Sequence, residues 1–117
     1  MKADITLKPS SYYYLKLSST QNLSGKSSIT AYVKHASWGN VGSGMQAKIY
    51  VKTGSSYTWY DGGVVSINSS SATKLTLSLS SVNNLSNVRE IGIQFLTLSN
   101  CGNGESSAVY VDYVVIQ

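Results

Sequence analysis

The sequence predicts an all-β protein, a two-sheet antiparallel β-sandwich, and three observations predict it. Apolar and polar side chains alternate with period two in segment after segment, while no window sustains the i, i+3, i+4, i+7 recurrence of a helix over ten residues. The segments are short and separated by turn chemistry: "SGKSS", "WGNVGSG", "TGSS", "DGG", "NSSS" and "NCGNGESS". Nine such strands with alternating faces call for two packed sheets rather than one open sheet.

Taken in order, Asp4 to Lys8 and Tyr12 to Ser18 open the chain, the second placing Tyr13, Leu15 and Leu17 on one side and Tyr12 and Tyr14 on the other. Ser28 to His35 sends Ile29, Ala31 and Val33 inward and Tyr32 and Lys34 outward. In "GMQAKIYVKTGSSYTWYDGG", Met45 to Lys52 is a half-buried strand with Met45, Ala47, Ile49 and Val51 on the core side. Gln46, Lys48, Tyr50 and Lys52 stand in register on its other face, and Tyr57 to Tyr60 follows the Gly-Ser-Ser turn. Val64 to Asn68 is short. Thr73 to Ser80 turns Leu75, Leu77 and Leu79 inward, and Arg89 to Leu98 does the same with Ile91, Ile93 and Phe95, opposite Gly92, Gln94 and Leu96. Ala108 to Ile116 closes the chain, with Val109, Val111 and Tyr113 or their alternates in the core. The stretch from Val82 to Val88 reads as a loop with apolar plugs, because Ser81, Asn83, Asn84, Ser86 and Asn87 favour turns over helix interiors.

With 117 residues, no internal repeat and no linker, residues 1–117 form one domain, large enough to bury roughly two-thirds of its unfolded surface. A lone cysteine, Cys101, forms no internal disulfide and reads as a free loop thiol. The net charge of +4 comes from nine scattered cations and five carboxylates, with one arginine and no basic cluster. That argues against a nucleic-acid partner. No apolar run approaches the roughly twenty residues of a membrane span, and Lys2, Ala3 and Asp4 do not begin a signal peptide. Tyrosine supplies nine aromatic residues, against two tryptophans and one phenylalanine. A surface of rings and hydroxyls with few charges suits an uncharged hydrogen-bonding partner.

Catalytic chemistry is poorly supplied. Paired-carboxylate catalysis would need two of Asp4, Asp61, Glu90, Glu105 and Asp112 to face one cleft. A nucleophilic triad would have to recruit His35, the only histidine, which reads more simply as a satisfied strand-end residue. No nucleophile elbow, zinc spacing or phosphate loop occurs. What remains is binding by rings and amides. A pyranose offers C–H groups on its faces and hydroxyls at its rim, so it is met by an aromatic plate and by amide groups. Gln46 and Gln94 share the non-core side of their strands; the bland alternative is two glutamines on a wet sheet face. Trp38, past a strand end, is either a platform or a cover for the core edge. Trp59 shares parity with Tyr57 and is expected on the core side, yet stays among the candidate contacts with Gln46, Gln94, Trp38, Tyr12, Tyr14, Tyr50 and Lys48.

The segments "YYYLKL", "ITAYVKHASWGN", "MQAKIYVKTGSSYTWYDGG", "VREIGIQF" and "AVYVDYVVIQ", in this order and spacing, resemble the β-sandwich (jelly-roll) carbohydrate-binding modules of bacterial cellulases and mannanases, most closely the family 16 type. The likeness covers nearly the whole chain from Tyr12 onward. It implies a non-catalytic, extracellular module, part of a larger multidomain glycoside hydrolase, that binds β-1,4-linked glucan or mannan on a concave sheet. In it Gln46 and Gln94 take the amide role, and Asp112 of "YVDYV" helps hold a structural calcium. Two places depart from the pattern. The family's opening Asn-Gly-Phe-Glu type segment has no counterpart before Tyr12, which leaves open strand exchange between chains, and Leu96-Thr97-Leu98 stands where an aromatic is expected. The rival readings are a structural or adhesive β-sandwich without glycan binding, and a small hydrolase or lyase.

Overall fold

The computed structural model describes residues 1–17 and 19–117, and the Leu17 side chain lies outside that description. The expected strand end at Ser18 and core position at Leu17 therefore lie outside the described residues. The chain forms β1 (Lys2–Thr6), β2 (Tyr12–Leu17), β3 (Ser28–His35), β4 (Met45–Thr53), β5 (Thr58–Asp61), β6 (Val65–Ile67), β7 (Thr73–Ser78), β8 (Val88–Thr97) and β9 (Ser106–Ile116). The only helical turn among the described residues is a 3-10 turn, Leu85–Asn87, within the segment read as a loop.

All pairings are antiparallel. One sheet has the order β1-β9-β3-β7 and the other β2-β8-β4-β5, with β6 also on β4. β5 and β6 share one edge of β4: Tyr50–Thr53 pairs with β5 and Met45–Ala47 with β6. The turn between them is pressed onto the opposite sheet, where a Cβ at Gly62 would lie 2.0 Å from the Thr76 carbonyl oxygen of β7. β1 precedes Tyr12 and lies along β9 from Lys2↔Tyr110 to Thr6↔Ser106. The place of an opening strand beside that part of β9 is thus filled by this chain's own "KADIT".

The alternation of β3, β4, β7 and β8 is what builds the core. Ile29, Ala31, Val33, Leu75 and Leu77 from one sheet meet Met45, Ala47, Ile49, Val51, Ile93 and Phe95 from the other, all buried. Each large side chain removed from water there contributes about 1.5–3 kcal/mol. Tyr113 departs from expectation. A register shift in β3 against β9, between Ala31 and Val33, breaks the parity of β9, and Tyr113 emerges 57% exposed. The parity reading holds up to Val111 and fails beyond it.

Candidate functional site

The outer face of the five-stranded sheet gathers most of the side chains singled out from sequence. Register places Lys52 opposite both Trp59 and Glu90, and Tyr50 opposite both Asp61 and Gly92. Trp59 therefore points outward with Asp61, and Tyr60 packs against the core. The expectation that Trp59 lies on the core side is corrected: "TWYD" carries aromatics of both parities, and only pairing with β4 decides between them.

Tyr50 lies flat along the sheet. Its ring crosses Gly92, where a Cβ would come within 2.5 Å of the phenol oxygen, and its hydroxyl donates to Glu90 Oε2 at 2.5 Å. Trp59 stacks on it with ring centroids 4.1 Å apart and planes 10° from parallel. This is why Tyr50, on the outer face, is fully buried while the indole above it is only half-buried. The Trp59 Nε1 donates to Asp61 Oδ2 at 2.7 Å, and Lys48 Nζ lies 3.7 Å from the same oxygen and 5.9 Å from the indole centroid. The indole is thus fixed in plane and tilt.

Beside the stack, Gln94 Nε2 donates to the Tyr14 hydroxyl at 2.8 Å, and Tyr14 meets Tyr50 edge-on at 6.1 Å. Gln94 is 7% exposed, and its Oε1 is buried with no hydrogen-bond partner in the protein. An unpaired buried acceptor costs about 1–3 kcal/mol, so this atom stands out against the satisfied groups around it. Farther along the face, Tyr12, Leu96, Gln46 and Ser66 form one cross-strand row, with Tyr12 60% exposed.

Two of the five carboxylates, Glu90 and Asp61, lie on this face. Glu90 is buried, accepts from Tyr50, and has Lys52 at 3.7 Å and Lys16 at 4.0 Å. A signal for it existed, since Glu90 shares the parity of Gln94. Burial works to raise the Asp61 pKa, but the hydrogen bonds from Trp59 and Gly63 and the charge of Lys48 outweigh it and hold the carboxyl below its ordinary value.

Burial, then the hydrogen bond to Glu90 and that carboxylate's charge, push the Tyr50 phenol well above its ordinary value. A phenol in the unfolded chain ionises near pH ~10. Below that pH the contribution to stability is fully present; above it the unfolded state loses a proton the folded state keeps, and stability falls by about 1.4 kcal/mol per pH unit. Tyr50→Phe is expected to remove this share of the alkaline loss, while costing about 1.5–3 kcal/mol at neutral pH because Glu90 loses a donor. Urea denaturation of both proteins at neutral and alkaline pH measures it, and an equal alkaline loss in the two would refute the assignment.

Two singled-out residues lie elsewhere. Trp38 sits in the β3–β4 loop against Tyr110 of β9, on the four-stranded sheet, and so does not join the Gln46 and Gln94 face. Asp112 is exposed on β9. Calcium takes about 6–8 oxygens, and among the described residues no group of three or more His, Cys, Asp or Glu side chains gathers, at Asp112 or elsewhere. His35 is buried, its Nδ1 2.8 Å from the Ala36 carbonyl oxygen. Cys101 is buried, and its thiol is pushed up by that burial and by Glu105, away from nucleophilic use. A cavity of about 460 Å³ opens between the sheets among Leu15, Ile49, Ile91, Ile93, Val111 and Ile116. Its apolar lining offers little to a hydroxylated ligand.

Comparison with known proteins bears on the same chain. The family described as "Mannanase, galactose-binding domain-like" matches residues 1–113. The protein named "Mannan endo-1,4-beta-mannosidase A and B" from Caldalkalibacillus mannanilyticus (strain DSM 16130 / CIP 109019 / JCM 10596 / AM-001) is 40% identical over 117 residues, all of this chain but 22% of that protein. The chain thus corresponds to about a fifth of its relative. The β-sandwich related to mannanase-associated domains that the sequence resembles is met at that level, while the finer family 16 assignment is not what matches. The chain belongs to the mannanase, galactose-binding domain-like family.

Proposed function

We propose that this domain is a non-catalytic module that binds β-1,4-linked mannan chains on the outer face of the five-stranded sheet and holds an attached glycoside hydrolase against extracellular polysaccharide. The observation that carries this reading is the flat Trp59–Tyr50 stack beside Gln94, whose Oε1 has no partner in the protein. The indole is the plate for the C–H face of a mannose ring, and the unpartnered Gln94 oxygen is the acceptor this face holds for a sugar hydroxyl. Gln46 and Tyr12 extend the same face along the chain direction of an oligosaccharide. The name of the relative favours mannan over glucan. Tethering raises the local concentration of the catalytic domain at its substrate, so modest affinity suffices.

Hydrolysis by this face is disfavoured. Glu90 and Asp61 lie on strands either side of β4, opposite Lys52 and Tyr50 respectively, so two strand spacings and two residues of strand, about 12 Å in all, separate their backbones. A glycosidase also needs one carboxylic acid with a raised pKa, whereas Asp61 is lowered and Glu90 is occupied by Tyr50 and Lys52.

Gln94→Ala is expected to weaken manno-oligosaccharide binding about 2–10-fold, the worth of one neutral hydrogen bond, and Gln46→Ala by less, with the fold intact. Isothermal titration against manno- and cello-oligosaccharides checks this. Unchanged curves for both variants would sink the site assignment, and silence of the wild-type protein toward both series would favour a structural or adhesive sandwich.

A further inference from the structure

The four-stranded sheet carries an aromatic row of its own, on the opposite side of the sandwich from Trp59. Trp38 is 46% exposed and meets Tyr110 edge-on at 6.5 Å. Three residues farther along β9, about 10 Å of strand, Tyr113 pairs with Tyr32 of β3 at 5.0 Å. The Trp38 loop is held rigidly: Ser107 Oγ donates to the Trp38 carbonyl at 2.8 Å. At the next residue, Gly39 has φ +84°, and a Cβ there would lie 2.6 Å from the Ser106 carbonyl.

Next to the indole is a cavity of about 380 Å³ lined by Lys2, Asp4, Thr6, Ser106 and Ser107. Exposed Thr6 and Ser106 offer hydroxyls there, beside a carboxylate and an ammonium around an aromatic plate, the donor and acceptor mix that sugar hydroxyls require. Lys2 and Asp4 pair with each other at 3.4 Å, so the two charges lining this cavity offset each other, and Lys34 Nζ, 5.4 Å from the Tyr110 centroid, is the cation over the neighbouring ring; a face with so little net charge suits an uncharged ligand. Lys2 Nζ stands 5.2 Å from the indole centroid; being half-exposed, it swings aside at little cost.

We propose that this face is a second carbohydrate-binding site, with Trp38 as platform and Tyr110, Tyr32 and Tyr113 continuing it along β9, for an extended uncharged hexose chain. It rests on the reading of the domain as a mannan binder for the identity of its ligand, but not on the Trp59 face. With sites on both sides, one domain bridges two polysaccharide strands, and avidity exceeds the affinity of either site.

The two tryptophans, one per face, make the test direct. Trp59→Phe leaves Trp38 as the single indole, and Trp38→Phe leaves Trp59. Mannohexaose is expected to change the emission of both single-tryptophan proteins, and calorimetry is expected to give two ligands per wild-type chain and one per Trp38→Ala chain. A response from Trp59 alone, with one ligand bound, overturns the second site and leaves the first standing. A response from Trp38 alone supports the second site and removes the first. Silence of both indoles overturns both sites, and binding only of an anionic polysaccharide that fades with added salt overturns the neutral ligand class.

Discussion

Trp59→Ala is expected to weaken mannohexaose binding at the five-stranded face roughly 30-fold or more, the effect of losing a central aromatic anchor worth at least ~2 kcal/mol. The loss has several parts. The plate itself disappears, Tyr50 beneath it is left as a lower ring wedged over Gly92, and Asp61 and Lys48 lose the group that ties them to the stack. The fold should survive, because the stack adds only about 0.5–1.5 kcal/mol beyond its buried area. Calorimetric titration well below the melting temperature, with circular dichroism as a control, measures the effect. An unchanged Kd in a folded Trp59→Ala protein would show that the aromatic stack is not the platform.

Gly62→Ala is expected to produce the largest loss of stability. The added Cβ would sit 2.0 Å from the Thr76 carbonyl oxygen and 2.9 Å from its carbon. Neither side can yield cheaply: the Gly62 N–H donates to the Ile49 carbonyl at 3.0 Å, and Thr76 is held in register opposite Thr30. Overpacking against fixed backbone costs about 3 kcal/mol, a fall in Tm on the order of 10 °C. Gly63, its neighbour, is the control. It has φ +91° with nothing within 4 Å of its Cβ position, so Gly63→Ala carries only the backbone penalty of about 1–2 kcal/mol. Equal melting temperatures for the two variants would refute the collision.

Where the chain alternates cleanly, its faces were legible. Met45 to Val51 and Ile91 to Phe95 have one apolar parity each, so the core side and the shared outer side of Gln46 and Gln94 followed from period two alone. Four things could not be read that way. Trp59 and Tyr60 offer an aromatic to either face, and pairing with Lys52 and Val51 is what assigns them. Tyr50 looked like an exposed contact, but its burial depends on a tryptophan from the next strand. Trp38 lies in a loop, where no period applies, and a bulge in the β3–β9 ladder reversed the expected side of Tyr113. In each case the missing information was which residue the side chain meets on another segment, across the β4–β5 hairpin, in the Trp38 loop against β9 or in the β3–β9 ladder, which the alternation within one segment does not contain.

The pairing of the first strand with the last, and of the second with the one before it, also governs how the molecule comes into being. Neither sheet is complete until β8 and β9 have been made, because β1 waits for β9 and β2 for β8. Closing loops of that length comes before any contact rewards it, which places sandwiches among the slow folders, in milliseconds to seconds. The early strands therefore wait as open edges, and Lys2, Lys8 and Lys16 in and around them are the charges that oppose edge-to-edge pairing until their partners arrive.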